Sequence, residues 1–251
     1  MLEQIKSTVK KIKQQKPLIV NVTNYVTMEF IANGLLSLGA SPVMTNAKAE
    51  IEELIKIADC LVINIGTLNE EFISLCHAAC EYANKFSKPI IFDPVGAGAT
   101  NYRTQMALDL LNQHDISIVR GNAGEVMGLA GNSGFTRGVE VIDLNSPVEE
   151  YAKILMKEFK LTVVVSGEED LIVSKDFFKK YAYGSSLMPK ITGMGCLLTA
   201  VIAAFHAVEK NSAIAASLAV VYYGLCGEAA AKKAQAPGTF REKFLNEIYL
   251  L

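Results

Sequence analysis

The sequence predicts an α/β fold with a mainly parallel central sheet and helices on both faces. Three observations carry that prediction. The short apolar segments run uninterrupted rather than alternating with polar residues, as strands do when both faces are covered. Between them lie longer segments whose apolar residues recur at helical spacing, the strand–helix repeat of a parallel sheet. No linker rich in Pro, Gly or Ser divides the chain, so residues 1–251 read as a single domain, a length that one α/β unit can fill.

The elements follow in order. Met1–Lys16 is a polar, basic helix without the apolar centre of a secretory signal. Leu18, Ile19, Val20 and Val22 make Pro17–Val22 the first buried strand. Met28, Ile31, Leu35 and Leu38 share a helical face that Gly39 closes. Ser41–Met44 is a short strand, Glu50–Ala58 a polar helix, and Cys60–Ile65 an apolar strand ending at Gly66. Phe72, Leu75, Cys76, Ala79, Ala83 and Phe86 mark one face of a long helix. Pro89–Phe92 is a strand running into Asp93 and Pro94. A helix around Met106–Leu111 leads to the strand Ile116–Val119, and Gly131–Pro147 reads as a long loop. Leu161–Val165 begins a later strand, Asp170–Ser174 and Phe177–Ala182 form a hairpin, and Cys196–Leu251 is almost wholly helical.

Composition narrows the function. Lys plus Arg number 24 against 26 for Asp plus Glu, a formal charge of −2. The chain therefore lacks the positive field that nucleic-acid binding uses. Apolar residues make up 51%, which argues against disorder and leaves apolar surface for a large core or a buried subunit interface. The longest apolar stretches, Cys196–Val208 and Ala213–Cys226, fall short of the roughly 18–20 residues that cross a bilayer, so no membrane partner is expected. Four of the five cysteines sit in apolar contexts and read as reduced thiols of a cytoplasmic protein.

Sheets of this type bind ligands at the carboxyl ends of their strands. The polar residues there are Asn24, Met44 with Asn46, Asn64 with Thr67, Asp93, Arg120 with Asn122 and Glu125, and Ser166. That mixture suits a polar small ligand and a phosphate donor. The sharpest feature is Ile191-Thr192-Gly193-Met194-Gly195-Cys196 ahead of the apolar helix Leu197–Phe205. Its glycines permit a tight turn, and the open N–H groups of the helix start form an anion site. Such a cradle stabilises a phosphoryl group in transfer. Cys196 falls in the first turn, where the dipole favours thiolate. The alternative is a glycine turn feeding a buried helix, with Cys196 a small core residue.

Asp93-Pro94-Val95-Gly96-Ala97-Gly98 places a carboxylate at a strand end, where it can face Mg²⁺ or phosphate or merely form an Asx turn. Arg120-Gly121-Asn122-Ala123-Gly124-Glu125 offers a guanidinium for nucleotide phosphate and a carboxylate for Mg²⁺ through water. Asn122 and Glu125 equally match a capping box with Asn in place of Ser or Thr. Cys76, His77 and Cys80 crowd one helix but lack the partners of a tetrahedral metal site and read as packing. His206 reads as a core or interface residue and His114 as a helix C-terminal residue. Neither a P-loop nor a dinucleotide fingerprint is present.

Six ordered stretches together resemble the hydroxyethylthiazole kinase family of the ribokinase-like superfamily. They are Asn21–Thr27, Ala40–Met44, Asn64–Leu68, Phe92–Gly98, Arg120–Glu125 and Thr192–Cys196. The likeness runs from about Pro17 to the C-terminal helices. It implies a ribokinase-like three-layer sandwich in which ATP, with Mg²⁺, phosphorylates the hydroxyl of 4-methyl-5-(2-hydroxyethyl)thiazole in thiamine biosynthesis and salvage. The resemblance places substrate contacts on Met44 and Gly193, ATP contacts on Arg120 and Ser166, and metal-side carboxylates on Asp93 and Glu125. It places the catalytic-base position on Cys196, where most of the superfamily carries Asp. It also implies a homotrimer with the thiazole site at the subunit boundary. Two positions depart from the pattern: Met194 stands where Thr is typical, which puts the phosphate pocket in question, and Ser166 where Thr is commoner. The rival expectations are a hydroxymethylpyrimidine kinase, a dehydratase acting on hydrated nicotinamide nucleotides, and a thiazole-binding regulator without turnover.

Overall fold

A computed structural model describes residues 1–132 and 147–251. In chain order the helices are α1 (Leu2–Gln15), α2 (Met28–Leu38), α3 (Ile51–Ile57), α4 (Glu70–Lys85), α5 (Asn101–Gln113), α6 (Ala123–Asn132), α7 (Val148–Phe159), α8 (Met194–Val208), α9 (Ser212–Ala231) and α10 (Pro237–Leu250). The strands are β1 (Leu18–Val22), β2 (Ser41–Met44), β3 (Cys60–Asn64), β4 (Ile90–Asp93), β5 (Ile118–Asn122), β6 (Thr162–Ser166), β7 (Asp170–Ser174) and β8 (Phe177–Tyr181). Among the described residues they form one sheet in the order β2-β1-β3-β4-β5-β6-β7-β8. The first six strands in that order are parallel, so their carboxyl ends share one edge. Strands β7 and β8 add an antiparallel hairpin.

Two apolar layers follow from the alternation of side chains along each strand. Ile19, Val62, Ile91, Ile118 and Val164 face the core built with α1, α2, α8, α9 and α10. Val20, Ile63, Phe92, Val119 and Val163 face the core built with α3 to α7. This is the helix–sheet–helix sandwich that uninterrupted apolar strands require.

Most of the expected elements are present, and the departures have physical causes. Strand β5 runs through Arg120 to Asn122 instead of ending at Val119, because Gly121 and Asn122 continue the ladder with Val165 and Ser166. Backbone pairing needs no apolar side chain. Helix α5 starts at Asn101, where the Thr100 hydroxyl caps the Arg103 N–H. Its first turn is polar and hides the helical period. The expected loop Gly131–Pro147 falls almost wholly outside the described residues, and its first two residues end α6. Helix α9 continues past Cys226 to 20 residues, so in length and composition it matches a membrane span, contrary to the expectation. Most of its apolar window (78%) is buried inside the protein, as in a core helix.

The turn from β6 to β7 is held by Asp170, whose Oδ1 accepts from the Gly167 N–H at 3.1 Å. Burial pushes this carboxyl up to about 6 from an ordinary 3.8, against the opposing pull of the Gly167 N–H and Arg120. Between those two values the folded state holds more protons than the unfolded chain. Stability is therefore expected to fall as pH rises from about 4 to about 6, by up to about 3 kcal/mol from this group. Asp170→Asn keeps the acceptor and should make that slope shallower by this group's share, leaving the share of Asp93, which is raised over the same range; urea midpoints of both proteins across pH 4–7 will reveal the difference. Parallel slopes for the two would contradict it.

Candidate active site

Parallel register brings the chemistry together at the carboxyl edge. Asn64 and Asp93 end neighbouring strands and are paired in register. Asp93 is fully buried. Its Oδ2 accepts from Asn64 Nδ2 at 2.9 Å and Thr199 Oγ1 at 2.8 Å, and lies 3.5 Å from Arg120 Nη1. Its Oδ1 is buried without a hydrogen-bond partner among the described residues. Burial pushes the carboxyl up to about 6, opposed chiefly by Arg120 and reinforced by the nearby Glu125 charge.

Arg120 points from β5 beneath the first turn of α8, where Nη2 meets Ser166 Oγ. A Cβ added to Gly195 would lie only 2.5 Å from Nη1. The glycine thus lets the backbone of α8 rest on a guanidinium held by Asp93 and Ser166. Gly195→Ala is expected to displace that guanidinium and weaken the binding of pyrophosphate, a probe anion, by at least about 10-fold, the scale of one displaced charge contact. Titration calorimetry with pyrophosphate reads this directly, and unchanged binding would refute it.

Gly193 caps α8 with φ +92 and no side-chain bond, so the N–H groups of the first turn stay open. A Cβ there would sit 2.9 Å from Thr27 Cγ2, so both backbone conformation and space demand glycine. Open amides and the helix dipole make the start of α8 electropositive, with Arg120 against Gly195 adding to this and its Asp93 partner offsetting part of it. The Met194 side chain is buried in the core, and the Met194 carbonyl accepts from Tyr223 OH at 2.7 Å.

Cys196 lies in the same turn, with Sγ accepting from Asn24 Nδ2 at 3.5 Å. The expectation of a thiolate favoured by the helix start is overturned. Burial raises the thiol above its ordinary value and the Asp93 charge adds to this, while Asn64, Thr27 and Arg120 pull it down. Desolvation is the largest of these influences and sets the direction.

Glu125 matches the capping reading in full. Its Oε2 accepts from the Asn122 N–H at 2.8 Å, and Asn122 Oδ1 accepts from the Glu125 N–H at 3.0 Å. Its Oε1 accepts from the Gly96 N–H at 3.0 Å, tying the loop after β4 to α6. Beside it opens a cleft of about 390 Å³ lined by Gly96, Gly98, Asn122, Gly124 and Glu125, among others. Met44 ends the edge strand β2, beyond β1 and β3, so strand spacing sets it roughly 14 Å from β4. The structure thus unites Cys196, Gly193, Arg120, Ser166 and Asp93, sets Glu125 alongside them, and leaves Met44 at the sheet edge.

Sequence reasoning gave no role to several residues found here. Thr199 was missed, although a lone hydroxyl one turn after Gly195 in an otherwise apolar run was its signal. Arg103 donates to the carbonyls of Ile65, Val95 and Gly66 at 2.9–3.0 Å and so fixes the loops after β3 and β4. Nothing in the sequence distinguishes it from a solvated arginine. Asn24 and Asn64 are legible as strand-end polar residues and as members of the Asn21–Thr27 and Asn64–Leu68 stretches, but neither carries a role of its own there.

The described residues hold no group of three or more His, Cys, Asp and Glu able to cage a metal. The unpartnered Asp93 Oδ1 with Glu125 nearby fits a different arrangement, in which Mg²⁺ is held by few carboxylates and mainly by phosphate oxygens and water.

A sheet of this order, with a glycine-opened helix above a paired arginine and aspartate, is an α/β sandwich of the ribokinase-like fold. A ribokinase-like superfamily protein from Enterococcus faecalis shares the fold at TM-score 0.67 and 14% identity, over 94% of this chain and 88% of that one. The profile of the Hydroxyethylthiazole kinase family matches residues 9–251. The hydroxyethylthiazole kinase of Brachyspira hyodysenteriae is 45% identical over 249 residues, covering 99% of this chain and 94% of that protein. The solved structure of the hydroxyethylthiazole kinase protein from Pyrococcus horikoshii OT3 superposes with TM-score 0.91 at 36% identity, over 99% of this chain and 94% of the other. The chain belongs to the hydroxyethylthiazole kinase family.

Proposed function

We propose that this protein transfers the γ-phosphoryl group of ATP to the primary hydroxyl of 4-methyl-5-(2-hydroxyethyl)thiazole, serving thiamine biosynthesis and salvage. The observation that carries the proposal is the meeting of open amides, the Arg120 guanidinium and the Cys196 thiol at the first turn of α8, in a chain of this family. The amides opened by Gly193 take the peripheral oxygens of the moving phosphoryl group, whose charge is spread over them. Arg120, braced by Ser166, neutralises the nucleotide phosphates. Asp93, with Glu125, would hold Mg²⁺, which when bound supplies further charge neutralisation between the phosphates. The new bond joins the acceptor oxygen to phosphorus as the bridging oxygen leaves with ADP. The acceptor proton departs late, to the thiolate fraction of Cys196, which returns it to solvent.

Met44 and Gly193 are assigned to the thiazole alcohol, and the catalytic unit is the whole 251-residue chain. We assign the active species as a cytoplasmic homotrimer with the thiazole site at the subunit boundary. Support comes from Tyr25 and Val26, which are 52% and 70% exposed on the loop after β1, next to the Asn24 contact with Cys196. A second copy would cover them. Purified protein should release ADP fastest with the thiazole alcohol in a panel that also holds hydroxymethylpyrimidine and a hydrated nicotinamide nucleotide. Preference for the pyrimidine, dehydration of the nucleotide, or thiazole binding without ADP release would each overturn the assignment.

A further inference from the structure

The buried amides between β1, β3 and α8 form a directed chain. Thr27 offers its backbone N–H at 3.1 Å and its hydroxyl at 3.0 Å to the same atom of Asn24. A backbone N–H only donates, so that atom is the carbonyl Oδ1. The Nδ2 group of Asn24 therefore faces the other way, toward Asn64 Oδ1 at 2.8 Å and Cys196 Sγ at 3.5 Å. Asn64 is oriented by the same logic. The Gly66 N–H donates to its Oδ1 at 3.0 Å, which leaves Nδ2 for Asp93 Oδ2 at 2.9 Å. Asn24 is 3% exposed and Asn64 fully buried, so neither amide exchanges these partners for water. The packing is close enough that a Cβ on Gly66 would lie 2.9 Å from Asn24 Cβ.

We propose that Asn24 is a positioning residue that locks the Cys196 thiol and, through Asn64, sets its distance from the Asp93 carboxylate. The inference rests on the reading of Cys196 as the group beside the acceptor hydroxyl. One amide spans the two halves of the pocket, because its hydrogens reach both the sulfur on α8 and the carboxamide on β3. Asn24 engages one sulfur lone pair, beside the Asn64 and Thr27 side chains that also act on the thiol, and so narrows the orientations open to it. A buried amide with both ends satisfied is stiff, since leaving either end unpaired carries its full desolvation cost.

Asn24→Asp tests this with little change of shape. The carboxylate still accepts from Thr27 but cannot donate to Asn64 or Cys196. Asn24→Ala serves as the second variant, and intact folding is checked by the urea midpoint. Each is expected to lower kcat at least about 10-fold while the KM for ATP changes less than about threefold, since a transition-state contact is lost and nucleotide binding is not. In a Cys196→Ala background Asn24→Ala should cost less than about threefold more, because its effect is transmitted by the sulfur. A full additive loss would overturn the proposal.

Alkylation of Cys196 by iodoacetamide, followed by peptide mass spectrometry, supplies a readout without turnover. It should slow at least about threefold in both variants, since a donor to the thiolate is removed. The other four cysteines are buried and serve as internal references. Unchanged alkylation in both variants would overturn the proposal even if kcat falls. A wild-type enzyme inactive on the thiazole alcohol would instead defeat the functional assignment and leave the alkylation result to decide the role of Asn24.

Discussion

Asp93→Ala is expected to lower turnover by at least about 10²–10³-fold and to destabilise the fold by about 3–5 kcal/mol. The first figure follows from losing a preorganised charge at a phosphoryl-transfer site. The second follows from the surroundings of Arg120, whose side chain is only 10% exposed. Asp93 is the carboxylate it meets there, and its Nε is already buried without a partner among the described residues. Removing Asp93 leaves a buried cation in contact with the Ser166 hydroxyl and only the more remote charge of Asp170 to offset it, and breaking a buried pair on one side carries that scale of penalty. Thr199 and the Asn64 amide also lose their acceptor. Replacing both partners with apolar residues, as Asp93→Leu with Arg120→Met, should recover much of the stability and none of the activity. Urea unfolding and ADP-release kinetics on the three proteins test the claim. An Asp93→Ala variant with the wild-type midpoint would show that Arg120 does not depend on the carboxylate.

The parts of this molecule that could be read from the sequence are those governed by local periodicity. Buried strands such as Cys60–Asn64 announce themselves because both faces are apolar, and α2 ends where Gly39 adopts φ +94. The glycine-opened helix and the strand-end carboxylate were legible for the same reason, as each depends on neighbours in the chain. Strand order was not legible. Nothing local states that β1 lies between β2 and β3, yet this places Asn24 within reach of Asn64. The pairing of Arg120 with Asp93 crosses between β4 and β5 and joins residues far apart in sequence.

Position in the chain misled at Cys196 and informed only half the case of Glu125. A helix start predicts a lowered thiol, but burial depends on what packs over the turn, and that sets the direction. Asn122 and Glu125 were legible as a cap because both sit in one turn. The added bond to the Gly96 N–H comes from a loop that only the folded sheet brings near.

Cys196→Ala is expected to lower kcat by about 10²–10⁴-fold, the usual weight of a group that takes part in proton transfer. Burial and the Asp93 charge hold the thiol above its ordinary value of 9.0, so only a small fraction is thiolate near neutrality. If that fraction takes the acceptor proton, kcat of the wild type should climb with pH from 7 through 9 without levelling. The sign follows from the raised value: the active form gains population as pH rises and has not saturated below the thiol's own titration. Cys196→Asp should then retain far more activity than Cys196→Ala and lose the slope, because a carboxylate is ionised throughout this range. The pocket is suited to receive it, since the Asn24 amide donates to this position and the α8 dipole favours negative charge there. Arg120 lies against Gly195 in the same turn and offsets part of the repulsion from Asp93. Stopped assays across pH 6.5–9.5 with saturating ATP distinguish the outcomes. An alanine variant reduced only a few-fold, with the wild-type pH slope intact, would remove Cys196 from proton transfer and leave phosphoryl positioning by the α8 amides as the source of rate.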